Sequence, residues 1–385
     1  MSSNNQILML TPFFSPNLGG VETHLDDLTG YLSKEQFNVN VITYQPLTTK
    51  GVSAPFHESR DNVHIYRLPW LKFNLFYKLE SKPLLQFLYL FPGMFFLGFF
   101  YLIFNPGKTA NIHGHGLAAA VATLLLSAIF RKKGFVSLHT IYKFSERPAL
   151  AAIVKRILLP MERILVLAKG CKEDLIKIGI PDEKISTYTC WVDNKNAFLP
   201  RDKNECRKML GLPPDMFIVL FVGRLSPEKG VSVVLDIVKH TTDRGVAFVL
   251  VGDGPMRPEV DETALKHDNL ITVKGVSNDK LMFYYNASDI LLFGSVDEDY
   301  YGRVTMEALS CGLPVILPDS TSYFGKKKKA SIDFPQEEIG YLVRPQADLI
   351  ALLLDNLSND NEQLNRMKDR ARSYALENFS DKNAG

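Results

Sequence analysis

Val222-Gly-Arg-Leu-Ser-Pro-Glu-Lys-Gly230 decides how this chain is read. Ahead of it, Phe217–Val222 is an unbroken apolar, β-branched run of strand length. From Val231 onward, Val, Leu and Ile recur at helical spacing. The stretch between is a strand-to-helix turn, with Gly223 and Gly230 near its ends and two cations, Arg224 and Lys229, between them. Helix N-terminal N–H groups and the helix dipole favour an anion at such a place, and Arg plus Lys at this separation suit a diphosphate. A solvated surface turn is the plainer reading of the same residues, so the rest of the chain decides.

Around this turn the second half keeps alternating strand and helix. Strands are expected at Ala247–Val251, Ile271–Val273, Ile290–Phe293 and Pro314–Leu317, and Val251-Gly252-Asp-Gly-Pro forms a second glycine-rich turn. The first half reads the same way. Strands are expected at Ile7–Leu10, Phe37–Thr43, Val63–Leu68, Phe135–Leu138, Ile164–Leu167 and Ile185–Tyr188. A helix from about Val21 carries Leu25, Leu28 and Leu32 on one face, and Gly19-Gly20 before it permits close approach of a phosphate or a sugar. Such β-α-β order predicts α/β domains with parallel, doubly wound sheets whose ligands sit at the strand C-terminal ends. At 385 residues the chain is long enough for two of them, and the polar stretch Asn194–Glu205 reads as the linker.

The formal net charge of +2 hides an asymmetry. Residues 1–195 hold 21 basic and 14 acidic residues, the remainder 23 and 28, and residues 65–165 alone hold 13 against 3. A basic first half facing an acidic second half bears on partners rather than on fold, and nothing in it points to nucleic acid. Cys171, Cys190, Cys206 and Cys311 lack metal-type spacing and read as reduced thiols of a cytosolic protein. Leu84–Phe104 carries no charge at all, and three readings fit it: a membrane span, a buried pair of core helices split at Pro92-Gly93, or a helix lying on a membrane surface. The flanking Lys72, Lys78, Lys82, Lys108 and Arg131-Lys132-Lys133 favour the last, since they suit anionic lipid. His113 and His115 end one expected strand and His139 follows the next, so all three are expected on one rim, exposed to a ligand. No carboxylate or Cys completes a zinc set beside them, and no metal is expected.

Taken together, Gly19-Gly20-Val-Glu22, His113-Gly-His115, Gly223-Arg224-Leu-Ser-Pro-Glu-Lys229-Gly230, Val251-Gly-Asp-Gly-Pro and Glu307-Ala-Leu-Ser-Cys-Gly resemble the retaining glycosyltransferases of family 4, the glycosyl transferases group 1. The match runs over nearly the whole chain in the family's order. It implies a GT-B fold, two Rossmann-like domains facing across a cleft: an acceptor domain over 1–195, a nucleotide-sugar domain over 196–365, and a helix over 366–385 returning toward the first domain. The family's usual continuation of that helix would extend past Gly385.

The resemblance also implies an activity, hexosyl transfer from a nucleotide-sugar without a metal or other cofactor; the expected donor is a UDP- or GDP-sugar, and the basic residues around the uncharged Leu84–Phe104 point to a lipid-linked or glycan acceptor. It gives Arg224 and Lys229 the donor diphosphate and His115 the donor sugar. The second Glu of the family's Glu-X7-Glu motif, which binds the donor ribose, falls on Glu307, and the first falls on Asp299, with Glu298 one residue further. Gly19, Gly20, Gly252, Val276 and Gly302 complete the expected donor contacts, with Glu22 and His139 toward the acceptor. The chain departs from the family pattern at Thr189–Asp193 and at Ser320–Lys329, the latter replacing a Gly-Gly loop. The expected setting is the cytoplasmic face of an anionic membrane. A GT-B nucleotide-sugar epimerase, turning over without acceptor, and a non-catalytic sugar-nucleotide binder are the rival readings.

Overall fold

Two parallel sheets organise the protein, one in each of two units that divide at Cys190/Trp191. The structure is a computed structural model and describes residues 5–17, 19–49, 51–71, 75–79, 82–139, 144–167, 169–188, 190–294, 302–319 and 334–380.

In the first unit the strands are β1 (Gln6–Leu10), β2 (Asn38–Tyr44), β3 (His57–Arg60), β4 (Val63–Leu68), β5 (Asn111–His115), β6 (Lys133–Leu138), β7 (Arg163–Val166) and β8 (Ile185–Thr187). The helices are α1 (Gly20–Lys34), α2 (Leu75–Leu79), α3 (Pro83–Phe104), α4 (Leu117–Phe130), α5 (Pro148–Leu158) and α6 (Lys169–Lys177). The sheet order is β3-β4-β2-β1-β5-β6-β7-β8, parallel except for β3, which runs antiparallel to β4. Successive strand residues face opposite sides. Met9, Val39 and Val41 therefore pack with Leu25 of α1, whereas Leu8, Leu10 and Ile42 pack with Met94 of α3 and Leu126 of α4.

The uncharged segment is a single helix, α3, and not a pair of core helices. The helix continues through Pro92-Gly93, where Tyr44 of β2 braces it. The Tyr44 hydroxyl donates to the Leu90 carbonyl and accepts from the Met94 N–H, 3.1 Å away, the two groups that would otherwise bond each other in the helix. Glycine is required beside it, since a Cβ at Gly93 would come within 2.6 Å of that hydroxyl. Pinned this way, α3 lays one face on the sheet. Leu85, Leu88, Phe96, Phe100 and Phe104 on its other side remain exposed, Phe104 by 78%.

The second unit contains β9 (Phe217–Val222), β10 (Val246–Val251), β11 (Leu270–Val273), β12 (Ile290–Leu292), β13 (Val315–Pro318) and β14 (Gly340–Val343), all parallel in the order β11-β10-β9-β12-β13-β14. Its helices are α7 (Lys203–Leu210), α8 (Val231–His240), α9 (Arg257–Ala264), α10 (Asn278–Ala287), α11 (Arg303–Ser310), α12 (Ala347–Leu357) and α13 (Asn361–Asn378). The central strands β9 and β10 are buried on both faces, which is why they read as continuous apolar runs.

Two expected boundaries shift. Residues 191–205 are built into the second unit instead of linking the two. Trp191 and Val192 are buried, the Val192 N–H donates to Phe379 O at 3.1 Å, and Arg372 donates to Asn194 O at 2.9 Å. The helix expected over 366–385 starts earlier, at Asn361, N-capped by Asp360, and ends at Asn378; residues 381–385 lie outside the described residues. It packs on α11 and α12 of its own unit.

Candidate active site

In a doubly wound sheet, ligands bind beyond the carboxyl ends of the strands where the strand order reverses. In the first unit that point lies between β1 and β5, in the second between β9 and β12. The sequence motifs gather there. The loop after β1 leads to Gly19, Gly20 and Glu22, and β5 ends on His113 and His115. The loop after β9 is Gly223–Gly230, and Gly302 caps the helix that follows β12.

Backbone contacts on both sides fix the turn after β9. The Gly223 N–H donates to Val251 O at 3.1 Å and the Leu225 N–H to Asp253 O at 3.0 Å, zipping it to the turn after β10. A Cβ at Gly252 would lie 1.9 Å from the Gly223 carbonyl oxygen, so only glycine allows this approach. Gly230 has φ 73° and caps α8, and a Cβ there would lie 2.0 Å from Gly294 O in the segment after β12. Arg224 and Lys229 are thus half-buried cations on a rigid turn before a helix N-terminus. Arg224 lies 3.8 Å from the exposed Glu228 carboxylate. Val276, half-buried, follows Gly275, whose N–H is held by Asp253 at 2.8 Å.

Glu307 stands on the helix that ends just before β13. It lies in the second half of α11 and is 3% exposed. Its oxygens accept from Arg303 Nε at 2.8 Å, one helical turn away, and from the Tyr285 hydroxyl at 2.8 Å. Burial, reinforced by the Glu307 charge, pushes the Tyr285 phenol well above its ordinary range, so it stays a donor. Glu298 and Asp299 lie outside the described residues, as do Thr189 and Ser320–Lys329.

In the first unit, the space left by Gly19 is filled by the Glu22 carboxylate, whose Oε2 would be 2.3 Å from a Cβ at that position. Burial raises the Glu22 pKa. With an acid already at the N-terminus of α1, a phosphate is disfavoured there and a sugar hydroxyl is the better partner.

Against the expectation of three histidines exposed on one rim, His115 and His139 are buried and bonded to each other, and half-buried His113 is bonded to Ser137. His115 is 2% and His139 9% exposed. His115 Nδ1 meets His139 Nε2 at 3.0 Å, His139 Nδ1 meets the Tyr188 hydroxyl at 2.9 Å, and His113 Nε2 meets Ser137 Oγ at 2.9 Å. Both ring nitrogens of His139, the residue expected toward the acceptor, are thus committed within the protein. His24 packs flat on Tyr188. Nothing local marks Tyr188 or His24 in the sequence; the fold alone brings them here. The Arg303–Glu307 pair, by contrast, could have been read from its i,i+4 spacing.

Burial lowers the His113 pKa to about 3 and that of His139 to about 4, and holds His115 well below 6.5. An unfolded chain takes up these protons near pH 6.5, whereas the folded one refuses them until much lower pH. Their contribution to stability therefore rises with pH across that window and is lost on acidification, by about 1.4 kcal/mol per pH unit for each histidine. Buried Glu22 and Asp26, whose pKa values are raised, act in the opposite sense. Urea unfolding followed between pH 5 and 6.5 should show a slope of stability on pH that is shallower in His139→Gln by about that amount. An unchanged slope would mean that His139 is not buried as a neutral ring.

Comparison with known proteins follows the two units. The model for Glycosyltransferase Family 4 matches residues 18–195, and that for Glycosyl transferases group 1 matches residues 202–374. The phosphatidylinositol N-acetylglucosaminyltransferase GPI3 subunit of Saccharomyces cerevisiae is 24% identical over 354 residues, covering 84% of this chain and 72% of its own. D-inositol 3-phosphate glycosyltransferase 2 of Catenulispora acidiphila is 33% identical over 170 residues, 40% of this chain and 39% of its own. Among solved structures, sucrose-phosphate synthase from Thermosynechococcus elongatus superposes with a TM-score of 0.75 at 20% identity, covering 99% and 96% of the two chains. Anabaena HepE in complex with UDP-glucose gives 0.73 at 17% identity over 97% and 95%.

Proposed function

Because this chain belongs to the family 4, group 1 glycosyltransferases of GT-B fold, we propose that it moves a hexosyl group from a UDP- or GDP-sugar to a membrane lipid, with retention and without a metal. The observation that carries this reading is the rigid Gly223–Gly230 turn, which sets two cations before the N-terminus of α8 where the strand order of the second sheet reverses. In the reaction, the bond from the sugar's anomeric carbon to the diphosphate breaks while a bond to the acceptor oxygen forms on the same face. Arg224 and Lys229 stabilise the charge that develops on the diphosphate, the task a divalent ion performs elsewhere. The acceptor's hydroxyl proton passes to an oxygen of the departing phosphate. Glu307, held by Arg303 and Tyr285, takes the ribose hydroxyls through its remaining lone pairs.

The acceptor is proposed from the first unit. The outward face of α3 is apolar along its length and is extended by exposed Leu125 and Ile129 of the adjoining α4. Lys78, Lys82, Lys108, Arg131 and Lys133 surround it in sequence and are exposed. Apolar surface bordered by cations suits an anionic bilayer, each basic residue contributing about 1 kcal/mol near it, screened by salt. A phospholipid acceptor fits this, and the yeast relative is named for phosphatidylinositol. The chain should co-sediment with phosphatidylserine-containing vesicles at low salt. Binding should fall as salt rises and when Arg131, Lys132 and Lys133 are neutralised together, and Phe96→Ser with Phe100→Ser should remove the salt-resistant remainder. Absence of co-sedimentation at low salt would end the membrane assignment and leave the glycosyltransferase assignment intact.

A further inference from the structure

Tyr188, His139 and His115 form a chain of hydrogen bonds that ends on an unpartnered nitrogen. Tyr188 Oη is 2.9 Å from His139 Nδ1, and His139 Nε2 is 3.0 Å from His115 Nδ1. His115 Nε2 is buried and has no hydrogen-bond partner among the described protein atoms. The two imidazole planes differ by 12° while their centroids are 5.2 Å apart. With nitrogens at 3.0 Å, the rings therefore meet edge to edge rather than face to face, and the shared proton lies close to both planes.

A neutral imidazole carries one N–H, so fixing one end of such a chain fixes every tautomer along it. The phenol is the natural end to fix. Its O–H is a better acid than an imidazole N–H, which makes the O–H to nitrogen pairing the stronger direction. His139 then accepts at Nδ1 and donates from Nε2, and His115 accepts at Nδ1. We propose that Tyr188 and His139 are positioning residues that lock neutral His115 in its Nε2–H form, so that its free edge donates a hydrogen bond to a hydroxyl oxygen of the transferred sugar. This last step rests on the function proposed above; the lock itself does not.

The surroundings support the lock. Burial disfavours an imidazolium at both His115 and His139. His24 stacks on the Tyr188 ring at 5.5 Å and meets the His139 ring edge-on at 5.7 Å, holding both in place. His113 is bonded to Ser137 and stands outside the chain of bonds, although its ring lies 4.2 Å from that of His115. Reversed polarity would leave His115 Nε2 a bare acceptor and make Tyr188 accept an N–H.

Nitrogen-15 NMR of the histidine-labelled full chain, free of ligand, tests this at pH 7.5. The chain has eight histidines, so His115 is assigned from the signals missing in His115→Gln. His115 should show a protonated Nε2 and an unprotonated Nδ1. Tyr188→Phe, which keeps the ring and removes the hydroxyl, should give averaged shifts at both nitrogens while the thermal midpoint moves by only a few degrees. A wild-type His115 protonated at Nδ1 overturns the lock, even should the Phe variant fail to fold. So does an unaltered tautomer in a folded Tyr188→Phe. A lock lost in Tyr188→Phe with sugar transfer at the wild-type rate overturns the link to the sugar. Failure of the wild type to transfer any sugar would instead count against the proposed function.

Discussion

Arg224→Ala and Lys229→Ala are each expected to lower kcat/KM for sugar transfer by about 30- to 900-fold, or about 2–4 kcal/mol of transition-state stabilisation. The size follows from where the charges stand. Both side chains project from a turn held to its neighbours by backbone contacts at Gly223, Gly252 and Gly230, so neither moves to compensate for loss of the other. Stability should barely change. Arg224 and Glu228 are partly exposed and 3.8 Å apart, and an ion pair of that kind contributes about 0–1 kcal/mol. Activity lost with the fold intact is the signature of a leaving-group clamp. Rates within threefold of wild type in both variants would remove the clamp from the mechanism.

The second large effect is on folding. Arg303→Ala leaves the Glu307 carboxylate buried beside Tyr285 without its cation, and breaking a buried pair from one side costs about 3–5 kcal/mol. Replacing both partners, as in Arg303→Met with Glu307→Met, should recover most of that loss because no charge remains to be desolvated. Urea unfolding of the two variants separates these outcomes. A single variant as stable as the wild type would show that water reaches Glu307. The double variant should fail to bind UDP or GDP normally even when stable, since it lacks the acceptor for the ribose hydroxyls.

The sequence announced most of the parallel core, for a physical reason. Strands buried on both faces, such as Phe217–Val222 and Val246–Val251, need unbroken apolar runs and are hard to mistake. The antiparallel edge strand His57–Arg60 has no such need, and its His-Glu-Ser-Arg sequence carries no period at all. Short β14, Gly340–Val343, was hidden for a related reason, having few residues with which to make a pattern. At the site, glycine and cation spacing located the turn after β9, because the backbone approach at Gly252 and the left-handed Gly230 leave their mark on residue type. Burial of the histidines left none. Polar residues at strand ends look exposed until their partners are known, and the Tyr188 that ties down His139 is 49 residues further along the chain. The α3 segment was ambiguous because its apolar residues serve two surfaces at once, the sheet and the solvent side.

Acceptor-dependent transfer of a sugar from a nucleotide-sugar is open to product analysis. The chain would be incubated with UDP- and GDP-hexoses, with and without vesicles containing phosphatidylinositol, while released nucleoside diphosphate is measured and the anomeric configuration of the glycolipid is read by proton NMR. Release with at least one donor should rise many-fold when the vesicles are present, and the product should keep the donor's anomeric configuration. Epimerised sugar formed without vesicles, or an inverted product, would rule out retaining transfer to the lipid.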